Sequence, residues 1–250
     1  MAAASARRCL TCAFRATCTI GMPATARREL LLSAASPPET SIFKRPLPQE
    51  LVQFSSKKGR ALFAQSMMSG EMEPFFPLAE QFVTQEEPTY CALGSLTMVM
   101  NALGVDPQRR WKDATGPGWR WWADEMFAPS GSCLPSLESV RRDGVSLDSF
   151  TQIAAASGAS VELHRPAPVG VGTEDSFRDS LAAAAATPDS FAVVNFCRAT
   201  LGQTGSGHFS PVGGYHRGSD SVLVLDVARF KYPPCAARDR THACIWLRID

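Results

Sequence analysis

From Ala92 to Leu103 the chain reads ALGSLTMVMNAL, a run without a charge in which nearly every face of a helix would be apolar. Such a helix is stable only when other elements enclose it, so the rest of the chain must fold around this segment. Gly104 follows it as the residue type that commonly ends a helix, and Pro88 restricts the backbone just before it begins. Cys91 therefore stands at the mouth of a buried helix. A helix N-terminus carries partial positive charge and unpaired N–H groups, which lower a thiol's pKa and can hold a developing oxyanion. Gln85, six residues upstream, can offer a second oxyanion donor through its side-chain amide. Taken alone, Cys91 still reads better as an inert core thiol, because free cysteine is among the most buried residue types.

His208 changes that balance. It follows Gly205-Ser206-Gly207, a turn that lets backbone approach a site closely, and it opens an apolar stretch to Tyr215 that reads as a strand. After the polar turn Arg217-Gly218-Ser219-Asp220, the run Val222-Leu223-Val224-Leu225 has the continuous apolar character of a buried strand, and Asp226 closes it. The pairing of these strands brings Asp226 back towards His208 across 226 − 208 = 18 residues. An ionised carboxylate at the end of a buried strand is costly unless paired, and His208 is the obvious partner. Cys91, His208 and Asp226 then read as a nucleophilic site in which an imidazole activates a thiol and a carboxylate orients the imidazole. Acyl transfer is the chemistry such a site serves.

Around these residues the pattern is helical first and mixed later. Loop and helical stretches alternate from Phe43 to Phe82, and short helices are expected over Leu137 to Arg142 and Asp148 to Ser157. Val161 to His164 reads as a strand, and Thr173 as the cap of an alanine-rich helix ending before Pro188. Phe191 to Phe196, His208 to Tyr215 and Val222 to Val227 are expected to form an antiparallel sheet. A helical lobe carrying the thiol, packed on a sheet lobe carrying His-Asp, is a two-lobed α+β arrangement. Trp119, Trp121 and Trp122 read as packing residues, since Trp mainly supplies buried area.

Composition narrows the partners. With 250 residues, 45% hydrophobic and 20% charged, the chain can bury one sizeable core. A net charge of +1 argues against nucleic acid or an anionic membrane as a main partner. No run approaches the roughly 18 apolar residues of a spanning helix. Eight cysteines without a secretory signal do not suggest a disulfide framework, and a thiol nucleophile needs reducing surroundings. Cys9-x-x-Cys12 has metal-like spacing but no second pair of ligands, and Cys133, Cys197, Cys235 and Cys244 are scattered. His164, His216 and His242 read as surface or satisfied histidines, so no protein metal site is assigned. Residues 1–28 hold Arg7, Arg8, Arg15, Arg27 and Arg28 and no acid, the pattern of a plastid or mitochondrial transit segment, which leaves organelle import and a cytoplasmic enzyme both open.

The segments QEEPTYCALGSL, VDPQRRWK, GWRWW, QTGSGHFSPVGGYH and LDVARFKYPP resemble those of the phytochelatin synthase family, from about Phe43 to Pro234. The resemblance implies residues 1–42 as a leader, 43–234 as the catalytic domain and 235–250 as a tail. It also implies a papain-like cysteine transpeptidase with Cys91 as nucleophile, His208 as base, Asp226 as orienting acid and Gln85 as oxyanion amide. Asn195, Arg198 and Arg229 would hold substrate carboxylates. The implied substrate is glutathione: the thiolate takes γ-Glu-Cys as a thioester, releases glycine, and passes the dipeptidyl unit to a second glutathione or a phytochelatin. No organic cofactor is implied. Cd²⁺ or Zn²⁺ would enter as the bis-thiolate of glutathione, and family members often form homodimers. Two departures stand out. The tail CAARDRTHACIWLRID replaces a His-Trp-Val type continuation, which predicts a lost edge strand. Gly116-Pro117-Gly118 and Ala182 to Ala186 read as tolerated insertions. A peptidase that passes the same thioester to water, and an inactive metal- or thiol-binding protein, are the alternatives.

Overall fold

Three helices start where a serine accepts a hydrogen bond from the backbone N–H three residues on: Ser56 from Gly59, Ser136 from Ser139, and Ser146 from Ser149. In this computed structural model the described residues are 42–112, 118–127, 134–165, 173–238 and 245–249. They contain α1 (Lys57–Met68), α2 (Phe75–Glu80), α3 (Cys91–Ala102), α4 (Leu137–Asp143), α5 (Leu147–Ala156) and α6 (Thr173–Ala185). The strands are β1 (Val52–Gln53), β2 (Val161–His164), β3 (Phe191–Cys197), β4 (Gly207–His216), β5 (Ser221–Val224), β6 (Cys235–Arg238) and β7 (Ile245–Ile249). Residues 43–250 make one compact unit. The fold is α+β. No helix among the described residues is long and apolar enough to cross a membrane.

The strands form one sheet in the order β1-β6-β5-β4-β3-β7-β2, every pairing antiparallel. Side chains alternate across it, and both faces are covered. On one face Phe191, Val193, Phe209 and Leu223 meet α3, whose residues from Ala92 to Met100 are all buried. On the other, Val194, Phe196, Val212 and Val224 pack against Leu181, Ala182, Ala184 and Ala185 of α6. Two covered faces explain why these strands read as continuous apolar runs. Each fully buried large apolar side chain contributes about 1.5–3 kcal/mol, so α3 and the middle strands anchor the fold.

The all-round apolar helix and its stop are as expected. Gly104 takes φ +68°, its N–H donates to Asn101 and the Val105 N–H to Met100, which closes α3 in a Schellman turn. Three expectations need correction. The tail is not a lost edge: β6 pairs with β1 and β5, while β7 lies between β3 and β2 inside the sheet. Within the stretch from Ala182 to Ala186, Ala182, Ala184 and Ala185 lie on the packed face of α6, where small side chains let the helix sit close on the sheet, while Ala183 and Ala186 are exposed. Trp122 stacks on Phe127 at 4.8 Å, but Trp119 and Trp121 are exposed and pack little. The strand expected to end at Val227 ends at Val224. The leader, Gly116-Pro117, Cys9, Cys12, Cys133, Cys244 and His242 lie outside the described residues.

One glycine makes a close approach that α1 depends on. A Cβ on Gly59 would lie 2.3 Å from the Gln53 carbonyl oxygen and 2.5 Å from that of Phe54, both backbone. Alanine normally raises helix propensity over glycine by about 1 kcal/mol. Here overpacking wins, and Gly59→Ala is expected to destabilise by about 1–3 kcal/mol, read as a lower thermal midpoint. An unchanged or higher midpoint would show that α1 can shift off the strand.

Candidate active site

Cys91 is the first residue of α3, and the N-cap Tyr90 makes no side-chain cap bond. The free first-turn N–H of Ala92 and the Phe209 N–H of β4 instead reach the Cys91 sulfur. His208 is the second residue of β4, buried and opposite Phe196, whose ring meets the imidazole edge to face at 5.5 Å. Asp226 follows β5, two residues past its end. The hairpin does what its spacing predicts: His208 Nε2 and Asp226 Oδ1 are 2.8 Å apart. With Nε2 engaged there, Nδ1 is the nitrogen left for the Cys91 thiol, to which His208 is hydrogen-bonded.

The electrostatics of the three groups are linked. Burial opposes ionisation of Cys91, but the His208 hydrogen bond and charge, with the Phe209 and Ala92 N–H groups, bring its pKa below the ordinary 9.0. Burial likewise opposes a charged His208, yet the bonds to Asp226 and Cys91 raise it above 6.5. Burial would push Asp226 up, but His208, the Arg198 charge and the Ala228 N–H hold it below 3.8. All three shifts run towards the charged forms: a thiolate beside an imidazolium beside a carboxylate. Such an ion pair can attack a carbonyl and then protonate a departing amine.

Cys91 and His208 open on a cleft of about 490 Å³ that Asn195 and Arg198 also line. Arg198 is buried, with Nη2 at 2.9 Å from Asp226 Oδ2 and Nη1 donating to Gln203 Oε1. Arg229 lines a separate cleft with Lys44 and Arg45, its guanidinium 4.8 Å above the Phe82 ring. Gln85 is buried against Gly94, its N–H donating to the Val227 carbonyl and its Nε2 to the Glu87 carbonyl at 2.7 Å. An amide nitrogen carries two hydrogens, so one remains beyond that bond.

Sequence reasoning missed several neighbours. Asp124 accepts from the Glu86 N–H at 3.1 Å and from Thr97 at 2.9 Å, pinning the segment beside Gln85 onto α3, and burial pushes its pKa up to about 6. Gln203, Tyr232 and Lys231 surround Arg198 or the cleft. Of these, only Lys231 and Tyr232 lie in a stretch the sequence marks out, the LDVARFKYPP segment. Among the described residues no group of three or more His, Cys, Asp or Glu is arranged to hold a metal ion.

A family model described as phytochelatin synthase matches residues 42–241. The chain belongs to the phytochelatin synthase family. Its relatives agree. It is 40% identical over 193 residues to a glutathione gamma-glutamylcysteinyltransferase of Schizosaccharomyces pombe, covering 77% of this chain and 44% of that protein. It is 41% identical over 194 residues to glutathione gamma-glutamylcysteinyltransferase 3 of Lotus japonicus, covering 77% of this chain and 38% of the other. To glutathione gamma-glutamylcysteinyltransferase 1 of Arabidopsis thaliana it is 42% identical over 195 residues, 78% of this chain and 38% of that one. The chain thus spans less than half the length of these relatives. Cys91, His208 and Asp226, with Gln85, Asn195, Arg198 and Arg229, all fall inside the span matched to the phytochelatin synthase family.

Proposed function

We propose that this chain is a glutathione γ-glutamylcysteinyltransferase with a papain-like catalytic arrangement, in which Cys91 is the nucleophile, His208 the acid–base and Asp226 the orienting acid. The observation that carries the reading is the 2.8 Å contact of His208 with Asp226 beside a thiol of lowered pKa at the head of α3. The relatives' names supply the acyl group and its source.

The Cys91 thiolate attacks the carbonyl carbon of the Cys–Gly amide of glutathione. Ala92 and Phe209 are the backbone N–H groups nearest the sulfur, and the second hydrogen of Gln85 Nε2 is the side-chain candidate for the oxyanion. As the amide C–N bond breaks, the His208 proton passes to the glycine nitrogen, glycine leaves, and a γ-glutamylcysteinyl thioester remains on Cys91. The α-amine of a second glutathione or of a phytochelatin then attacks the thioester carbonyl. His208 takes the amine proton, the C–S bond breaks, and the thiolate returns. Asn195 faces the cleft and Arg229 a basic cleft beside it, and both suit substrate carboxylates. Cd²⁺ or Zn²⁺ enters as part of the substrate, held by two glutathione thiolates, because soft metals favour sulfur ligands. No organic cofactor takes part in these steps.

Mass spectrometry of the protein incubated with glutathione, with and without Cd²⁺, tests this. Free glycine together with (γ-Glu-Cys)₂-Gly is the expected result. Glycine with γ-Glu-Cys alone would replace the transferase by a peptidase. Folded protein that releases no glycine would leave only a thiol- or metal-binding role.

A further inference from the structure

Arg198 lies at the end of β3, on the first residue of a short turn of 3-10 helix (Arg198–Leu201). Gly202 at φ +66° reverses the chain, so the Gln203 N–H donates to the Arg198 carbonyl and the Arg198 N–H to the Ser206 carbonyl. The guanidinium is thereby held between two rings, 6.0 Å from Phe196 and 5.3 Å from Tyr232. Tyr232 is itself fixed by the Thr204 N–H at 3.0 Å. From this seat Nη2 reaches both oxygens of Asp226, at 2.9 and 3.1 Å, and Nη1 reaches Gln203. The Arg198 and Asp226 side chains are 4% and 3% exposed. A guanidinium so enclosed is committed to its protein partners. Turning it towards a substrate would leave a buried carboxylate without its cation, a strongly unfavourable exchange.

We infer that Arg198 is a positioning residue, a fixed clamp that sets the plane and the ionised state of Asp226, and that it does not bind a substrate carboxylate. The inference rests on the nucleophile reading above. Asp226 Oδ1 accepts from the Ala228 N–H at 2.9 Å and meets His208, while Arg198 Nη2 bridges Oδ1 and Oδ2, so the guanidinium holds the carboxylate by both oxygens. Without the clamp the carboxylate is free to rotate, and burial favours its neutral form. His208 then loses its orientation, and through it Cys91 loses its thiolate. Lys231 and Cys235 are the other titratable groups close to this pair; Lys231 donates to the Thr204 carbonyl at 2.7 Å, and burial pushes the Cys235 thiol up to about 12, so neither can take over from Arg198. An arginine fork is needed because a lysine ammonium cannot span both Asp226 and Gln203 from between two rings.

Iodoacetamide separates the two roles because it is neutral and lacks a carboxylate. The rate of Cys91 alkylation is followed against pH, by peptide mass spectrometry, in wild type, Arg198→Met and Arg198→Lys, each with and without Asp226→Asn. Alkylation near pH 7 is expected to fall about 10- to 100-fold in Arg198→Met, with its acid limb moved to higher pH, and Arg198→Lys should recover part of the loss. For glycine release, kcat should fall while KM for glutathione stays within about twofold. On the Asp226→Asn background, Arg198→Lys should add no further loss, since Arg198 acts through Asp226. If Arg198→Met does not fold, the Lys variant and this cycle decide the matter. Wild-type alkylation rates in Arg198→Lys together with a raised KM would overturn the inference in favour of substrate binding. Failure of the underlying reading looks different: in wild type, Cys91 would react no faster than Cys197.

Discussion

Cys91→Ser is expected to abolish glycine release from glutathione, a loss on the order of 10⁶-fold if the nucleophile acts as one unit with its base. A serine hydroxyl ionises far less readily than a thiol, so the ion pair with His208, towards which the Cys91 and His208 shifts run, cannot form. The substitution spares the fold, because Cys91 is only partly buried and the packing of α3 comes from Ala92 to Met100. No other described thiol is placed to substitute. Cys235 is buried with a thiol pushed up to about 12, and Cys197, the last residue of β3 opposite Gly207, has no acid or base hydrogen-bonded to its thiol among the described residues. Acid quenching of wild-type protein during turnover should trap a γ-glutamylcysteinyl adduct on the Cys91 peptide, and the serine variant should show none at any cysteine. Glycine release that persists in Cys91→Ser would end the nucleophile assignment, whichever product accompanies it.

The parts of this site that were legible in the sequence are those set by local pattern. The uncharged run after Cys91 can only be a buried helix, and a helix start fixes where the thiol sits. The apolar runs either side of Arg217–Ser219 can only pair back on themselves, and that pairing places Asp226 beside His208. What was not legible depends on contacts between distant segments. Arg198 and Asp226 are 28 residues apart, and nothing in the pattern around Arg198 tells a buried clamp from an exposed substrate ligand. A single arginine suits either, and only the two flanking rings and the Gln203 contact decide its burial.

The sheet shows the same division. Segments 161–164 and 191–196 read as strands, yet nothing in them says that a third strand, β7, lies between them. Strand order is fixed by which hydrogen-bonding edges remain open after the hairpins form, a property of the assembled sheet. The tryptophans were misjudged for a related reason. Residue type predicts average burial, whereas Trp122 is buried because Asn101 binds its backbone on both sides and its indole donates to the Val105 carbonyl at 2.6 Å. Trp121 and Trp119, one and three residues away, stay exposed.

Asp226→Asn should cost about 10³- to 10⁴-fold in kcat/KM, the scale seen when the orienting acid of a catalytic triad is made neutral. The amide cannot satisfy its surroundings in either orientation. Both carboxylate positions face donors: Oδ1 faces the Ala228 N–H, His208 and Arg198, and Oδ2 faces Arg198. Wherever the NH₂ group falls it meets another donor, and in either orientation the buried Arg198 loses its counter-charge. Removing one partner of a buried pair destabilises by about 3–5 kcal/mol, so the thermal midpoint should drop with the activity. In wild type the ion pair forms as pH rises through the lowered Cys91 pKa and is lost as pH rises through the raised His208 pKa, giving a bell whose acid limb lies below 9.0 and whose alkaline limb lies above 6.5. In Asp226→Asn the His208 value falls and the Cys91 value rises, so the bell narrows from both sides. Stability has the opposite acid signature. Asp226 is depressed below 3.8 in the fold, so its contribution is present above that value and is lost as pH falls through the depressed one. The asparagine variant lacks this loss, and its midpoint should fall less steeply than that of wild type on acidification. A variant with an unmoved bell and an unchanged midpoint would show that Asp226 neither orients His208 nor balances Arg198.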